Sequence, residues 1–398
     1  MKVAVVFQDQ SIDFEIANDR LIGHWSGPLA GPSLKAGSLA SAQFEAPHDF
    51  PPLSRAVVPG DRVVVPLDPS TPGHDAILEA LAEALRSAEV ASITVVSTAP
   101  EPARLPEGVT WLVHDPDDKA QVAYLASTSE GQRIYLNRQL TDADIVIPIG
   151  ALGYDATLGY RGPWSAIYPA LSDREALARY RGLAVEAAPD RDKPSVSLRE
   201  SSEVSWLLGC QFQVGVLAGV DGVSRVVAGL ESAVRLEGAK AIDDAWTFRV
   251  AEQADVVVAG IGARGRSATF DELASGLATA SSLVRQGGKI VALTGVRDEP
   301  GPALRRIRGA ENPRAALTRL RGHEADPDYQ AARTIAEATA RADVYLHSNL
   351  DPDLVEDLGL IAIDRPEEAR KLATAAPTCI LIGQADRTRV LVASELKN

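Results

Sequence analysis

Short β-branched runs alternate with amphipathic stretches of helical period, and this alternation constrains the fold more than any other feature. Asp61-Arg-Val-Val-Val-Pro66 reads as a buried strand. The loop Asp68-Pro-Ser-Thr-Pro72 follows it, then a helix over 76–87 with Ile77, Leu78, Leu81 and Leu85 on one face. Ala91-Ser-Ile-Thr-Val-Val96 is the next strand, and Ala143-Asp-Ile-Val-Ile-Pro148, running into Ile149-Gly150, is another. Strand, helix, strand order with short connections predicts parallel sheets with helices packed on them. Such sheets bind ligands at the carboxyl ends of their strands, which directs attention to the loops after Pro66, Val96, Gly150 and Gly260.

The stretch 224–250 reads as a crossover, with a helix over 234–241 and a short strand at 246–250. A second α/β series follows: strand 254–260, helix 270–285, a Gly287-Gly288 turn into a strand ending at Thr294, helix 331–341 and strand 343–347. The Pro- and Arg-rich segment 299–313 reads as an exposed loop with a helix start. The expected architecture is therefore α/β, two α/β domains with mainly parallel sheets and an interdomain cleft, divided as 1–245 and 246–398. A chain of 398 residues suffices for two or three cores.

A net charge of -14 argues against a general nucleic-acid or anionic-membrane surface, since both need a cationic face. It leaves room for a local basic pocket that takes an acidic small molecule. No apolar run approaches the ~20 residues needed to span a bilayer. The opening Met1-Lys-Val-Ala-Val-Val-Phe7 reads as a strand rather than a signal peptide, so a cytoplasmic setting is the default expectation. Cys210 and Cys379 are the two cysteines, too far apart in sequence for a CxxC site, and read as small buried hydrophobes.

Four loops could carry chemistry. Gly260-Ile-Gly-Ala-Arg-Gly265 follows a strand and fits the G-x-G-x-x-G pattern that brings pyrophosphate to a helix N-terminus. Against that reading, the helix starts later, at Thr269 with Glu272 completing a capping box, and the expected acid about 20 positions on is missing. A glycine-rich pocket wall with Arg264 or Arg266 reaching an anion, or a plain turn, are the other readings. In Asp68-Pro-Ser-Thr-Pro-Gly-His74, Asp68 can hold a hydroxyl or a cation and His74 can move a proton; alternatively Ser70, Thr71 and Asp75 cap the helix. The loop 154–165 offers Asp155, Tyr160 and Arg161, with Arg161 either clamping a carboxylate bidentately or pairing with Asp155. His114-Asp115-Pro116 reads as a structural turn or a proton-transfer site. No His, Cys or carboxylate cluster has metal-ligand spacing, and no P-loop, G-x-S-x-G or H-E-x-x-H motif occurs.

Taken together these loops resemble the nickel-pincer lactate racemase family. Asp68-Pro-Ser-Thr-Pro72 between strand and helix is similar to the family's Asp-x-Thr-Arg-Pro segment. Gly131-Gln-Arg-Ile-Tyr-Leu-Asn-Arg138 and Ala143 to Gly150 resemble its lead into the catalytic loop. Gly159-Tyr160-x-Gly162 with Ile167-Tyr-Pro169 resembles its Gly-Tyr-Ser-Gly-Gly-x-Lys-x-x-x-Pro-Gly signature. The Gly-rich loop, Gly287-Gly288-Lys289 and 351–359 resemble its second domain, so the likeness spans nearly the whole chain as scattered matches.

The resemblance implies racemisation of a 2-hydroxy acid, an isomerase activity. In the family a nickel-pincer nucleotide is tethered to a lysine, a histidine ligates nickel, and histidines move protons. Residue by residue the chain departs from this. The tethering lysine falls at Ser165, the nickel-ligand histidine at Asp155, a second histidine near Arg179 or Arg181, and the loop arginine at Thr71. The cofactor-contacting glutamine and lysine fall near Glu272 and Ser275, and Ser97-Thr-Ala-Pro-Glu-Pro102 replaces a histidine-bearing turn; Asp68 is retained. The first expectation is a degenerate family member that binds a small anion, a hydroxy acid or nucleotide-like molecule, without a metal. The second is an active hydroxyacid or sugar-acid racemase, epimerase or other lyase with a rebuilt set of Asp155, His74 and His114 and with Arg161 orienting the carboxylate. The third is a nicotinamide-dependent oxidoreductase using Gly260–Gly265.

Overall fold

A computed structural model of the chain describes residues 1–28, 35–156, 159–182, 195–220 and 222–393. Its backbone divides into two compact units. One, here the inserted unit, comprises residues 29–154 and 158–245; the other, the terminal unit, comprises residues 1–28, 155–157 and 246–398. Residues 1–28 group with 246–398 in the terminal unit. The physical reason is strand pairing and burial contributed from the far end of the chain, described below.

The main sheet of the inserted unit runs Val223–Leu230, Phe212–Ala218, Ile149–Asp155, Arg62–Leu67, Ser92–Ser97, Val109–Val113. All these pairs are parallel except the first. Val63 and Val65 face a core with Ile77, Leu81 and Leu85 of the helix His74–Ser87, while Val64 and Val96 face a second core with Ile134, Leu136 and Tyr168. Alternating valines are buried on both faces, which is why these strands read as continuous apolar runs. The segment expected to be a crossover contains the strand Val223–Leu230 and the helix Glu231–Trp246. That strand was hidden in the sequence because Ser224 and Arg225 are exposed and interrupt its apolar pattern.

The main sheet of the terminal unit runs Ile361–Ala362, Asp343–His347, Val284–Leu293, Ala254–Gly260, Cys379–Ile382, Leu21–Trp25, parallel throughout. Leu273, Leu277 and Ile335 of the helices Phe270–Leu283 and Tyr329–Arg341 cover one face. The hairpin of Lys2–Phe7 and Gln10–Glu15 buries Val3, Val5, Phe7, Ile12 and Phe14 on the other. Leu21–Trp25 then pairs with Cys379–Ile382 as an edge strand. Within the segment expected to be exposed, the helix Pro302–Ile307 buries Ala303, Leu304 and Ile307. Both cysteines are buried and unbridged, and burial pushes the Cys379 thiol up to about 12. No helix among the described residues is long and apolar enough to cross a membrane.

Candidate functional site

In the inserted unit the chain order reverses between Arg62–Leu67 and Ile149–Asp155, since successive strands add on opposite sides of that pair. An open parallel sheet has its ligand crevice outside the strand ends at such a point. Asp68 occupies it. Its backbone N–H donates to the Ile149 carbonyl at 3.0 Å, and its Oδ1 accepts from the Ser70 N–H at 2.9 Å and the Ser70 hydroxyl at 2.7 Å. Its Oδ2 lies 3.8 Å from Arg161 Nη2, an ion-pair separation rather than a hydrogen bond. Asp68 is thus aimed by its own loop, as a two-residue Asx turn would aim it, with one oxygen directed at a guanidinium.

Thr71 follows, its N–H donating to the Asp68 carbonyl at 3.0 Å. The residue is only 1% exposed, and its hydroxyl has no hydrogen-bond partner among the described residues. Buried hydroxyls are nearly always paired, because leaving one unpaired costs about 1–3 kcal/mol. The helix that follows is capped by Gly73 in the left-handed conformation (φ 64°), not by Ser70, Thr71 or Asp75. A side chain on Gly73 would meet Ala36 at 2.8 Å and Val223 at 3.0 Å, so the glycine serves both backbone and packing. His74 Nδ1 donates to the Thr71 carbonyl at 3.0 Å, and its Nε2 lies 3.2 Å from Asp75 Oδ1.

Arg161 ends the short strand Gly159–Arg161 and Ser165 lies in the helix Trp164–Ile167; Thr157 and Leu158, expected in the same loop, fall outside the described residues. The Ser165 N–H donates to the Gly162 carbonyl at 2.9 Å. The Tyr160 hydroxyl donates to Asp243 Oδ1 at 2.6 Å, and its ring meets Tyr154 edge-on. Tyr160 and Arg161 also line a pocket of about 300 Å³ with Trp164, Leu198 and one face of the helix Glu231–Trp246. That face presents Ser232, Arg235, Leu236, Ala239 and Ile242 at helical spacing. Sequence reasoning missed Arg235 and these apolar neighbours; the i, i+3, i+4, i+7 stripe was the available signal.

His114 is buried at the end of Val109–Val113, and its reading as a structural residue fits the geometry. Nδ1 accepts from Asn137 Nδ2 at 3.0 Å and Nε2 donates to the Ser172 carbonyl at 2.8 Å. Burial pulls its pKa below the usual histidine value, so the ring is neutral and both nitrogens are engaged. Arg179 holds the Tyr168 hydroxyl and Glu200.

In the terminal unit the Asp155 carboxylate accepts from the Ser275 hydroxyl at 3.4 Å. Arg264 is exposed in the Gly-rich loop. Glu272 completes the expected capping box with Thr269 and binds Arg266 through both oxygens, with Arg387 Nη2 4.0 Å away. The glycines have local causes. A side chain at Gly260 would strike the Val6 carbonyl at 2.2 Å, and one at Gly262 would crowd Ala268 and Gln8. The loop amides already serve carboxylates: Gly262 N–H donates to Asp386 at 3.0 Å and Gly265 N–H to Asp9 at 3.2 Å. The pattern is therefore explained by the N-terminal hairpin and by internal acids, without pyrophosphate. Burial raises the Asp386 carboxyl above the usual range. Among the described residues no three His, Cys, Asp or Glu side chains cluster so as to hold a metal.

Residues 102–189 match the family model described as the lactate racemase N-terminal domain. The whole fold is similar to the lactate racemase apoprotein of Thermoanaerobacterium thermosaccharolyticum, with a TM-score of 0.82 at 15% identity over 98% of this chain and 100% of that one. A protein of Thermotoga maritima is similar with a TM-score of 0.62 at 15% identity, over 90% of this chain and 100% of that one. No curated protein matches the sequence. Over residues 102–189 the chain is thus similar to the lactate racemase N-terminal domain, and along nearly its whole length it shares the fold of the lactate racemase apoprotein.

Proposed function

We propose that the inserted unit binds a small hydroxy-acid anion at its switch point, without a tethered nickel-pincer nucleotide. The observation that carries this reading is the Asp68–Arg161 pair at the carboxyl ends of the parallel sheet, whose guanidinium also lines a pocket. A half-exposed guanidinium facing a carboxylate at the carboxyl ends of a parallel sheet stands where such folds take small ligands. Arg161 supplies the donors for a carboxylate. Asp68 Oδ2 accepts the ligand's hydroxyl.

The family's cofactor does not fit the residues present. Serine at 165 has no amine to form a thioamide link, and its hydroxyl cannot substitute for one. The position of the nickel ligand carries the Asp155 carboxylate, held by Ser275, and not an imidazole. Losing tether and ligand together removes the means of holding a hydride acceptor, so no step through that group is assigned here. Intact mass and nickel content of the protein from its native host test this half: unmodified mass with no stoichiometric nickel is expected, and a tethered adduct overturns it. Thermal shift with 2-hydroxy acids tests the other half, since ligand at 100 times its Kd adds about 2.7 kcal/mol to stability. Absence of any shift at millimolar acid refutes anion binding, as does a shift that survives Arg161→Gln unchanged.

A further inference from the structure

We infer that the ligand of the inserted unit is a monocarboxylic acid with a bulky apolar body, aryl or branched alkyl, seated in the pocket beside Arg161. This rests on the anion-binding reading and names its substrate class. Arg161 belongs to both places: its guanidinium is 3.8 Å from Asp68 Oδ2, and it lines the 300 Å³ pocket. The deep wall is apolar, with Trp164, Leu198, Ala239 and Ile242 all buried. The rim carries a second guanidinium, Arg235, roughly half-exposed, whose Nε is 3.6 Å from Glu231 Oε1. Two arginines at the mouth of an apolar hollow, on a chain of net charge -14, select one negative head and an uncharged tail.

The volume matters to the choice. Small-molecule sites run from about 300 Å³ upwards, far more than lactate's single methyl group can fill. A three-carbon acid would leave the Trp164–Ile242 hollow wet or empty, whereas a phenyl or isobutyl substituent removes that apolar wall from water. The carboxylate sits between Arg161 and Arg235, and the 2-hydroxyl, where present, points toward Asp68. The Tyr160 hydroxyl is held by Asp243 and fixes the ring as part of the wall.

The experiment is calorimetric titration of the full chain with four probes: 2-hydroxy-3-phenylpropanoate, 3-phenylpropanoate, lactate and 3-phenylpropanol. The expected result is that both aryl acids bind at least tenfold tighter than lactate, and that the uncharged alcohol binds at least tenfold weaker than 3-phenylpropanoate. Arg235→Ala and Leu236→Asp lie on the exposed rim, and each is expected to weaken the aryl acids at least fivefold while leaving the melting temperature within a degree or two. Equal binding of lactate and the aryl acids overturns this inference and leaves the anion reading standing. Equal binding of acid and alcohol overturns the role of the arginines. Aryl-acid binding that responds to Arg235→Ala but not to Asp68→Asn supports the pocket and removes the switch-point reading. No binding by any acid removes both.

Discussion

Replacing Thr71 by valine exchanges one buried branched side chain for another of nearly the same shape. In most cores this swap is costly, because the hydroxyl has a partner that is then stranded. Here the hydroxyl is buried in a 1%-exposed residue with no partner among the described residues, so no bond is lost. Valine instead removes an unpaired polar group, whose burial costs about 1–3 kcal/mol. Part of that gain is offset by imperfect accommodation of the added methyl, leaving a net stabilisation of about 1 kcal/mol in the ligand-free protein. For a domain of 150–250 residues that is a rise of roughly 2–4 °C in melting temperature. Differential scanning calorimetry reads it directly, provided that the transitions of the two units are fitted separately. Because Thr71 is sealed from solvent, a saturating hydroxy acid should stabilise the valine protein and the parent alike, leaving this difference unchanged. A ligand-free Thr71→Val protein less stable than the parent by 1 kcal/mol or more refutes the reasoning, since the hydroxyl would then have a partner.

Asp386→Asn keeps an oxygen to accept from Gly262 and removes a buried charge. The aspartate's folded pKa is raised, so its burial weakens the fold above that pKa and not below the unfolded value near 3.8; asparagine should therefore stabilise above the folded pKa, and the gain read by urea titration should shrink as pH falls through it. His114 has a folded pKa below its unfolded value of about 6.5, so the unfolded chain takes up its proton first. Its contribution to stability is present above that pH and is lost as pH falls through the folded pKa, and His114→Gln should flatten this part of the urea profile. Gly260→Ala should cost several kcal/mol and impair folding, because its methyl would lie 2.2 Å from the Val6 carbonyl. Gly265→Ala, at φ 78° with nothing within 4 Å, should cost only about 1–2 kcal/mol, as read by thermal melts.

Much of the architecture is legible locally. The runs 61–66 and 91–96 and the stripe Ile77, Leu78, Leu81, Leu85 correspond to Arg62–Leu67, Ser92–Ser97 and His74–Ser87, because burial on both sheet faces writes itself into composition. The Thr269–Glu272 capping box is a four-residue device and was readable as such. Illegible features are those set by distant residues. The spacing of Gly260 and Gly262 imitates a dinucleotide motif, yet its cause is Val6 and Gln8, some 250 positions earlier. Arg161 has an expected partner in Asp155 by proximity in sequence, while the structure brings it to Asp68, across the strand pairing of Ile149 with Leu67. That Thr71 is sealed from solvent is set by packing that no spacing in its own loop reveals.

The pairing of Leu21–Trp25 with Cys379–Ile382 has a consequence for biosynthesis. A ribosome delivers the hairpin Lys2–Phe7/Gln10–Glu15 first, with its apolar face of Val3, Val5, Phe7 and Phe14, and the surface that buries it arrives more than two hundred residues later. During that interval the leading segment is an amphipathic ribbon with an open edge, a substrate for holding chaperones and a seed for misassembly. Circularly permuted genes that start near residue 246, so that residues 1–28 follow directly on residue 398, would abolish the wait, and should raise the yield of folded chain made at elevated temperature.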